Sequence, residues 1–384
     1  MTTIIKASGA QDFLALVPHL TGFQPEQSIV LVAFRGNRTC GALRLDLPNA
    51  DAPAGVRRRA ATTMLGMVCR IPDVDALVPV VYTHDSFAAG DGMPYRAVID
   101  DLLARARHSG FTVRDALCVA TDAWGSYLDE HCPRGGRPLG LISASPARST
   151  LARSIPPAGL VDMESESRLP VADFVTREQT AKRFTELDSL RGSAELGPAL
   201  LFDHGFSGDV VGFADDLLAS GREPVPPRDA AVLAFLVQAP ALRDEVLLTW
   251  AWGPEFGVAV GEMNDRHNAG NDISSLPGAM ALGGFGMPRP DPERLRTAIH
   301  VLRYSAPRVP RHAQAPLLTM LAWAHWALGS GTLAGRWVAQ VRELDPEYSL
   351  AELLDRMLSA GRLPEWAWDV PPDATDGTAF DAGL

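Results

Sequence analysis

The feature that most constrains this chain is a hydrophobic period that switches repeatedly between residues 29 and 121. IVLVAF (29–34) and CGALRLDL (40–47) are β-rich runs around a turn containing Gly36-Asn37, and together they read as a hairpin. The period then lengthens: Val56, Ala60, Met64 and Val68, with Ala61 and Leu65, form one helical stripe. ALVPVVYT (76–83), a helix over 95–108 and VRDALCVAT (113–121) continue the alternation. Strands alternating with helices of that length imply parallel pairing with right-handed crossovers, because the helix must carry the chain back across a face of the sheet. The expected N-terminal domain is an α/β unit with a mixed sheet, in two or three layers.

Elsewhere the signals are helical. Ser8 and Gln11 have capping-box spacing ahead of FLALVPHL. Ser145-Pro146 opens a short helix, and Thr176 with Gln179 opens a longer one through Leu190. Helices are expected at 209–220, 229–239 and 241–252, each ended by Gly or Pro. The stretch 253–290 holds eight glycines without a sustained period, so it reads as a long Gly-rich loop, functional or mobile. Asp291-Pro292-Glu293 then opens a run of helices with short turns, similar to helical hairpins of the tetratricopeptide type. The expected layout is an α/β domain over 1–222 and an all-α helical-hairpin domain over 223–365, joined by the stiff EPVPP (223–227). An acidic tail over 366–384 is expected to be disordered.

Charge and motif content exclude several functions. A net charge of -11 argues against a general nucleic-acid binder, which needs a basic field to release phosphate counterions. Lys6 and Lys182 are the only lysines and neither follows a glycine, so no Walker loop exists. No secretory signal is read at MTTIIKASGA, and no apolar run reaches the length of a membrane span. Cys40, Cys69, Cys118 and Cys132 are widely spaced and read as free thiols, so the expected compartment is the cytoplasm. There is no G-x-S-x-G elbow, no H-E-x-x-H, no zinc-type Cys/His spacing and no dinucleotide fingerprint. No catalytic residue and no metal ligand set is assigned, and the cofactor is left unknown.

One geometric expectation survives. Ligands of open α/β sheets bind outside the carboxyl ends of the parallel strands. Those ends carry Asp46, then Tyr82-Thr83-His84-Asp85, then Thr121-Asp122 with Trp124. Asp46, His84, Asp85, Asp122 and Trp124 are therefore the candidate ligand-binding residues. The carboxylates could hold a divalent cation, or Asp85 or Asp122 could orient His84 as a general base. The competing reading is that these residues cap helices and shape turns. Gly22–Ser28 is a second candidate, set against a purely structural turn. Trp323 and Trp326, with His325 between them, read as helix core ahead of a peptide groove.

Three segments together carry a family resemblance. They are PHLTGFQPEQSIVLVAFRG (18–36) followed by LRLDLP, DALCVATDAWGSYL with the CP and G that follow (115–136), and LLTMLAWAHWALGSGTLA with LDPEYSLAELLDRMLSAG. They are similar to the actinobacterial family called domain of unknown function 4192. The middle segment departs from it, with His131-Cys132 and Gly125 where members tend to carry paired cysteines and a second aromatic. The resemblance supports the layout and implies no activity. Two functions stay open. One is a non-enzymatic cytoplasmic binding or regulatory protein, with a protein partner at the C-terminal helices. The other is a small-molecule enzyme, metal-assisted or not, at the strand-end crevice.

Overall fold

A computed structural model of the chain describes residues 4–89, 92–154, 162–191, 206–220, 225–368 and 379–382. It divides into two compact units, Met1–Met163 with Trp368–Leu384, and Glu164–Ala367. The first unit holds one mixed sheet. Its strands are β1 (Ile4–Ala7), β2 (Ser28–Arg35), β3 (Arg38–Asp46), β4 (Ala76–Tyr82), β5 (Thr112–Val113), β6 (Leu117–Val119), β7 (Trp124–Ser126) and β8 (Ala379–Ala382). They run in the order β1-β8-β3-β2-β4-β6-β7, with β5 beside β4. The hairpin and the strands read at 76–82 and 113–120 thus lie in one sheet. β2 is antiparallel to both β3 and β4, and β4 is parallel to β5 and β6.

β2 is buried along its whole length except at Arg35, and that burial sets the layering. Val30, Val32 and Phe34 pack with Phe13, Leu14, Leu16 and Val17 of helix α1 (Ala10–Thr21). Ile29, Leu31 and Ala33 point the other way, since alternate strand residues face opposite sides. They pack with Met64, Leu65 and Val68 of α2 (Ala54–Val68) and with Ile99, Leu102 and Leu103 of α3 (Arg96–His108). Each such side chain gains roughly 1.5–3 kcal/mol on full burial, so both faces of the strand need a cover of helices. Ile142 of α4 (Gly140–Ser143) and Ala147 of α5 (Pro146–Ser154) complete the α1 side. The unit therefore has three layers.

Pro79 sits in the middle of β4, opposite Leu31 of β2. A proline there removes a ladder hydrogen bond, which normally confines it to edges. The Leu77 carbonyl accepts from the Arg114 backbone N–H at 3.2 Å, so Leu77 and its alternate neighbour Pro79 direct their backbone groups toward β5 and β6. Opposite Pro79 that partner is interrupted between Val113 and Leu117, and the Ala116 N–H bonds the Asp115 carboxylate instead. The missing N–H falls at the gap.

The second unit is helical: α6 (Met163–Glu166, entering from the first unit), α7 (Phe174–Ser189), α8 (Val210–Ala219), α9 (Pro227–Leu236), α10 (Pro240–Trp252), α11 (Pro254–Asn268), α12 (Pro277–Leu282), α13 (Pro292–Ser305), α14 (Gln314–Ala327), α15 (Gly331–Leu344) and α16 (Ser349–Ser359). One large apolar cluster joins α7 to α16 around Trp250, Trp323, Trp326, Trp337 and Trp366.

Four expectations need correction. The stretch 253–290 is not a structureless loop: α11 and α12 occupy most of it. Pro254 and Pro277 stand in their first turns, where the absent N–H costs nothing. Val260 and Met263 give α11 its buried stripe, and Gly257 lets it approach α10 so closely that a Cβ would lie 2.1 Å from Thr249 Oγ1. The division expected at 222 falls inside the second unit, because Phe184 and Leu187 of α7 share a core with α9; residues 221–224 lie outside the described residues. The tail is structured where it is described. Trp366 is buried, its indole donating to the Ala327 carbonyl at 2.9 Å, and Ala379–Ala382 pairs in parallel with β1; 369–378 and 383–384 lie outside the described residues. Finally, Ser8 makes no capping box. Gly9 is the cap residue of α1, and the Ser8 N–H donates to Asp12 Oδ2 at 3.1 Å.

Candidate functional site

The strand ends meet as the topology requires. Asp46 of β3 pairs with Ser28, Ser28 with Tyr82, and Tyr82 with Val119 of β6, so β3, β4 and β6 finish at one edge with the start of β2 among them. Asp46 is set apart from the others. The intervening β2 puts it two strand spacings, about 10 Å, from Tyr82, and its exposed carboxylate is paired with Arg44.

His84 and Asp85 follow β4 on an exposed turn. The His84 N–H donates to Gln27 Oε1 at 2.6 Å, which ties the turn to the residue before β2. The Asp85 N–H donates to Thr83 Oγ1, and the Asp85 carbonyl accepts from both the backbone N–H and the hydroxyl of Thr121, each at 3.1 Å. These bonds fix the backbone and leave the imidazole and the Asp85 carboxylate on the surface.

Asp122 is committed elsewhere. Its Oδ1 accepts from the Phe87 N–H at 2.9 Å, and its Oδ2 from the Ser86 hydroxyl at 2.6 Å and the Ala88 N–H at 3.1 Å. The Ser86 hydroxyl first, then these backbone N–H groups, hold its carboxyl down to about 2. It closes the 86–88 turn and does not orient His84. Trp124 is buried in the sheet core, its indole donating to the Pro138 carbonyl at 3.1 Å and its ring lying 5.4 Å from the Arg137 guanidinium. It packs on the α1 side. Of the five candidates, His84 and Asp85 are exposed side by side, Asp46 and Asp122 lie at the same edge with their carboxylates engaged, and Trp124 is core.

Gln27 and Tyr95 belong to this edge, and sequence reasoning did not single them out. They are two of the three non-glycine residues with left-handed backbone among the described residues, at φ 40° and 59°. Bulky residues adopt that conformation only when their surroundings impose it. Tyr95 starts α3. Burial, then the charge of Asp85, push its phenol up, partly offset by hydrogen bonding with Thr83. Behind the row, the Ser28 and Tyr82 hydroxyls are buried without a hydrogen-bond partner among the described residues. Gln27 and Ser28 do lie in the Gly22–Ser28 loop named as the second candidate, and the proline before Tyr95 hints at a fixed turn into the helix. Among the described residues no three His, Cys, Asp or Glu side chains group as a metal site.

A family model described as a domain of unknown function (DUF4192) matches residues 11–258 and 290–365. No curated protein and no solved structure matches the chain. No described helix is long and apolar enough to cross a membrane.

Proposed function

The chain belongs to the DUF4192 family, a domain of unknown function, and from its own geometry we propose that it is a non-enzymatic cytoplasmic binding protein. Its small polar ligand docks on the turns at the carboxyl edge of the sheet. The observation that carries this reading is the pair of ties that stiffen the edge: Gln27 to His84, and Asp122 to the 86–88 turn. Both hold the backbone in place beneath exposed His84 and Asp85, and a preformed surface loses little entropy when a ligand arrives. The catalytic alternative is weaker because Asp122, one of the carboxylates that could have oriented His84, is occupied with its own turn. The net charge of -11 disfavours nucleic acid as the general ligand. A protein partner at the C-terminal helices remains part of the proposal, as a regulatory contact.

Thermal-shift screening of the full chain against Mg²⁺, Mn²⁺, Ca²⁺ and the common nucleotides tests it, since a ligand that binds only the folded state raises the melting temperature. At 100 times its Kd a ligand adds about 2.7 kcal/mol. A hit should be lost in Asp85→Asn and kept in Asp46→Asn. No hit, or a hit indifferent to Asp85, removes the site. Turnover of a bound ligand would establish the enzymatic alternative.

A further inference from the structure

Three sulfur-bearing side chains meet at one glycine beside the 86–88 turn. Gly125 of β7 lies directly opposite Cys118 of β6. A Cβ on residue 125 would lie 2.7 Å from Cys132 Sγ and 2.8 Å from the Met93 methyl carbon, with Phe87 Cε1 next at 3.4 Å. Cys132 Sγ thus fills the space that a side chain at 125 would take. Directly opposed residues on antiparallel strands hold their Cβ atoms about 4.5–5.5 Å apart. The Cys132 sulfur therefore stands where the cross-strand neighbour of Cys118 would be, and the methyl end of Met93 borders the same space. Cys118 is buried, while Cys132 and Met93 are half-buried, so the cluster is shielded but reachable.

We propose that Cys118, Cys132 and Met93 form a site for one soft monovalent cation of the copper(I) kind. Two thiolates and a thioether are the ligand types that select Cu(I), and a three-sulfur set needs no fourth donor. The step exchanges protons for metal: three S–Cu bonds form, one of them a dative bond from the thioether, two S–H bonds break, their protons leave to solvent, and nothing is oxidised or reduced. The bound unit carries one negative charge. Because both thiols must lose a proton to bind the metal, uptake strengthens as pH rises. Sequence spacing conceals the site, because its ligands come from positions 93, 118 and 132.

The test is an anaerobic titration of the reduced full chain with Cu(I) held by a chromophoric chelator. The wild-type chain should withdraw one equivalent, more readily at pH 8 than at pH 6. Cys132→Ser should weaken uptake by about a hundredfold or more and Met93→Leu by about tenfold, since even a supporting partner of a metal ligand is worth about 10–100-fold. Cys69→Ser, at an exposed thiol outside the cluster, should change nothing. Cys118→Ser alters a buried strand, so the two half-buried variants carry the decision, with near-ultraviolet circular dichroism confirming their fold. No copper withdrawn, or copper withdrawn equally by Cys132→Ser, overturns the proposal.

Discussion

His325 offers a quantitative test of how the helical unit is stabilised. It lies in α14, is only 5% exposed, and its Nε2 has no hydrogen-bond partner among the described residues. Burial first, and then the charge of Arg303 on α13, lower its pKa from 6.5 to about 4. Between those values the unfolded chain binds a proton that the folded chain refuses. Stability is therefore full above pH 6.5 and declines as pH falls toward 4. At 1.36 kcal/mol per unit the complete loss is about 3 kcal/mol, of which about 2 kcal/mol falls between pH 7 and 5. Glu245 acts in the opposite direction. Burial, then the charges of Asp265 and Asp209, raise it to about 6, so its contribution grows as pH falls through 6 toward 4.5. That carboxyl is about half exposed to solvent screening and its effect is correspondingly smaller. Comparing His325→Met with the wild type cancels it, because both chains keep Glu245. Denaturant unfolding followed by tryptophan fluorescence suits the measurement, since six of the eight tryptophans lie in this unit. The wild type should lose about 2 kcal/mol more than His325→Met between pH 7 and 5, equivalent to roughly 4–8 °C in Tm for a unit of this size. Equal pH dependence in the two chains would refute the reasoning.

Two further substitutions probe the internal packing of each unit. Gly257→Ala should destabilise the helical unit by about 1–2 kcal/mol in a thermal melt, because the steric conflict with Thr249 outweighs the better helix propensity of alanine. A neutral or raised Tm would show that α10 and α11 do not pack so closely. Asp122→Asn should speed amide exchange at Phe87 and Ala88 while leaving the strand amides of β4 protected. Unchanged exchange at both positions would show that the carboxylate does not hold that turn.

The sheet was legible because its signal is local. In 29–34 and 76–82 every residue is apolar, as central strands need when both faces are covered, and Val56 to Val68 announces the helix between them by period alone. The helices in 253–290 were hidden by composition. Gly257 and Gly278 look like loop residues, yet both lie in helices, where a Cβ would meet Thr249 at 2.1 Å and Met263 at 2.9 Å. Their role depends on a neighbour that a single-strand reading cannot see. The site divides the same way. That Asp46, His84 and Asp122 share an edge follows from strand direction, which the alternation of periods implies. That Asp122 bonds back across to residues 86–88, and that Arg137 lies over Trp124, depends on where two loops return. No spacing in the sequence encodes that.

Pro79 has a consequence beyond the native ladder. ALVPVVY is otherwise a run of high β-propensity without charge, the composition from which cross-β assemblies grow when a segment is exposed. While the chain is being synthesised, β4 must wait for β6, some forty residues later, before both its edges are covered. During that interval a proline at the centre blocks the continuous stacking of identical strands, because one N–H in every copy is missing. The folded sheet tolerates the same residue only because the β5–β6 interruption lies opposite it. Pro79 is thus compatible with one partner arrangement, and it guards the nascent strand against its own copies until that arrangement forms.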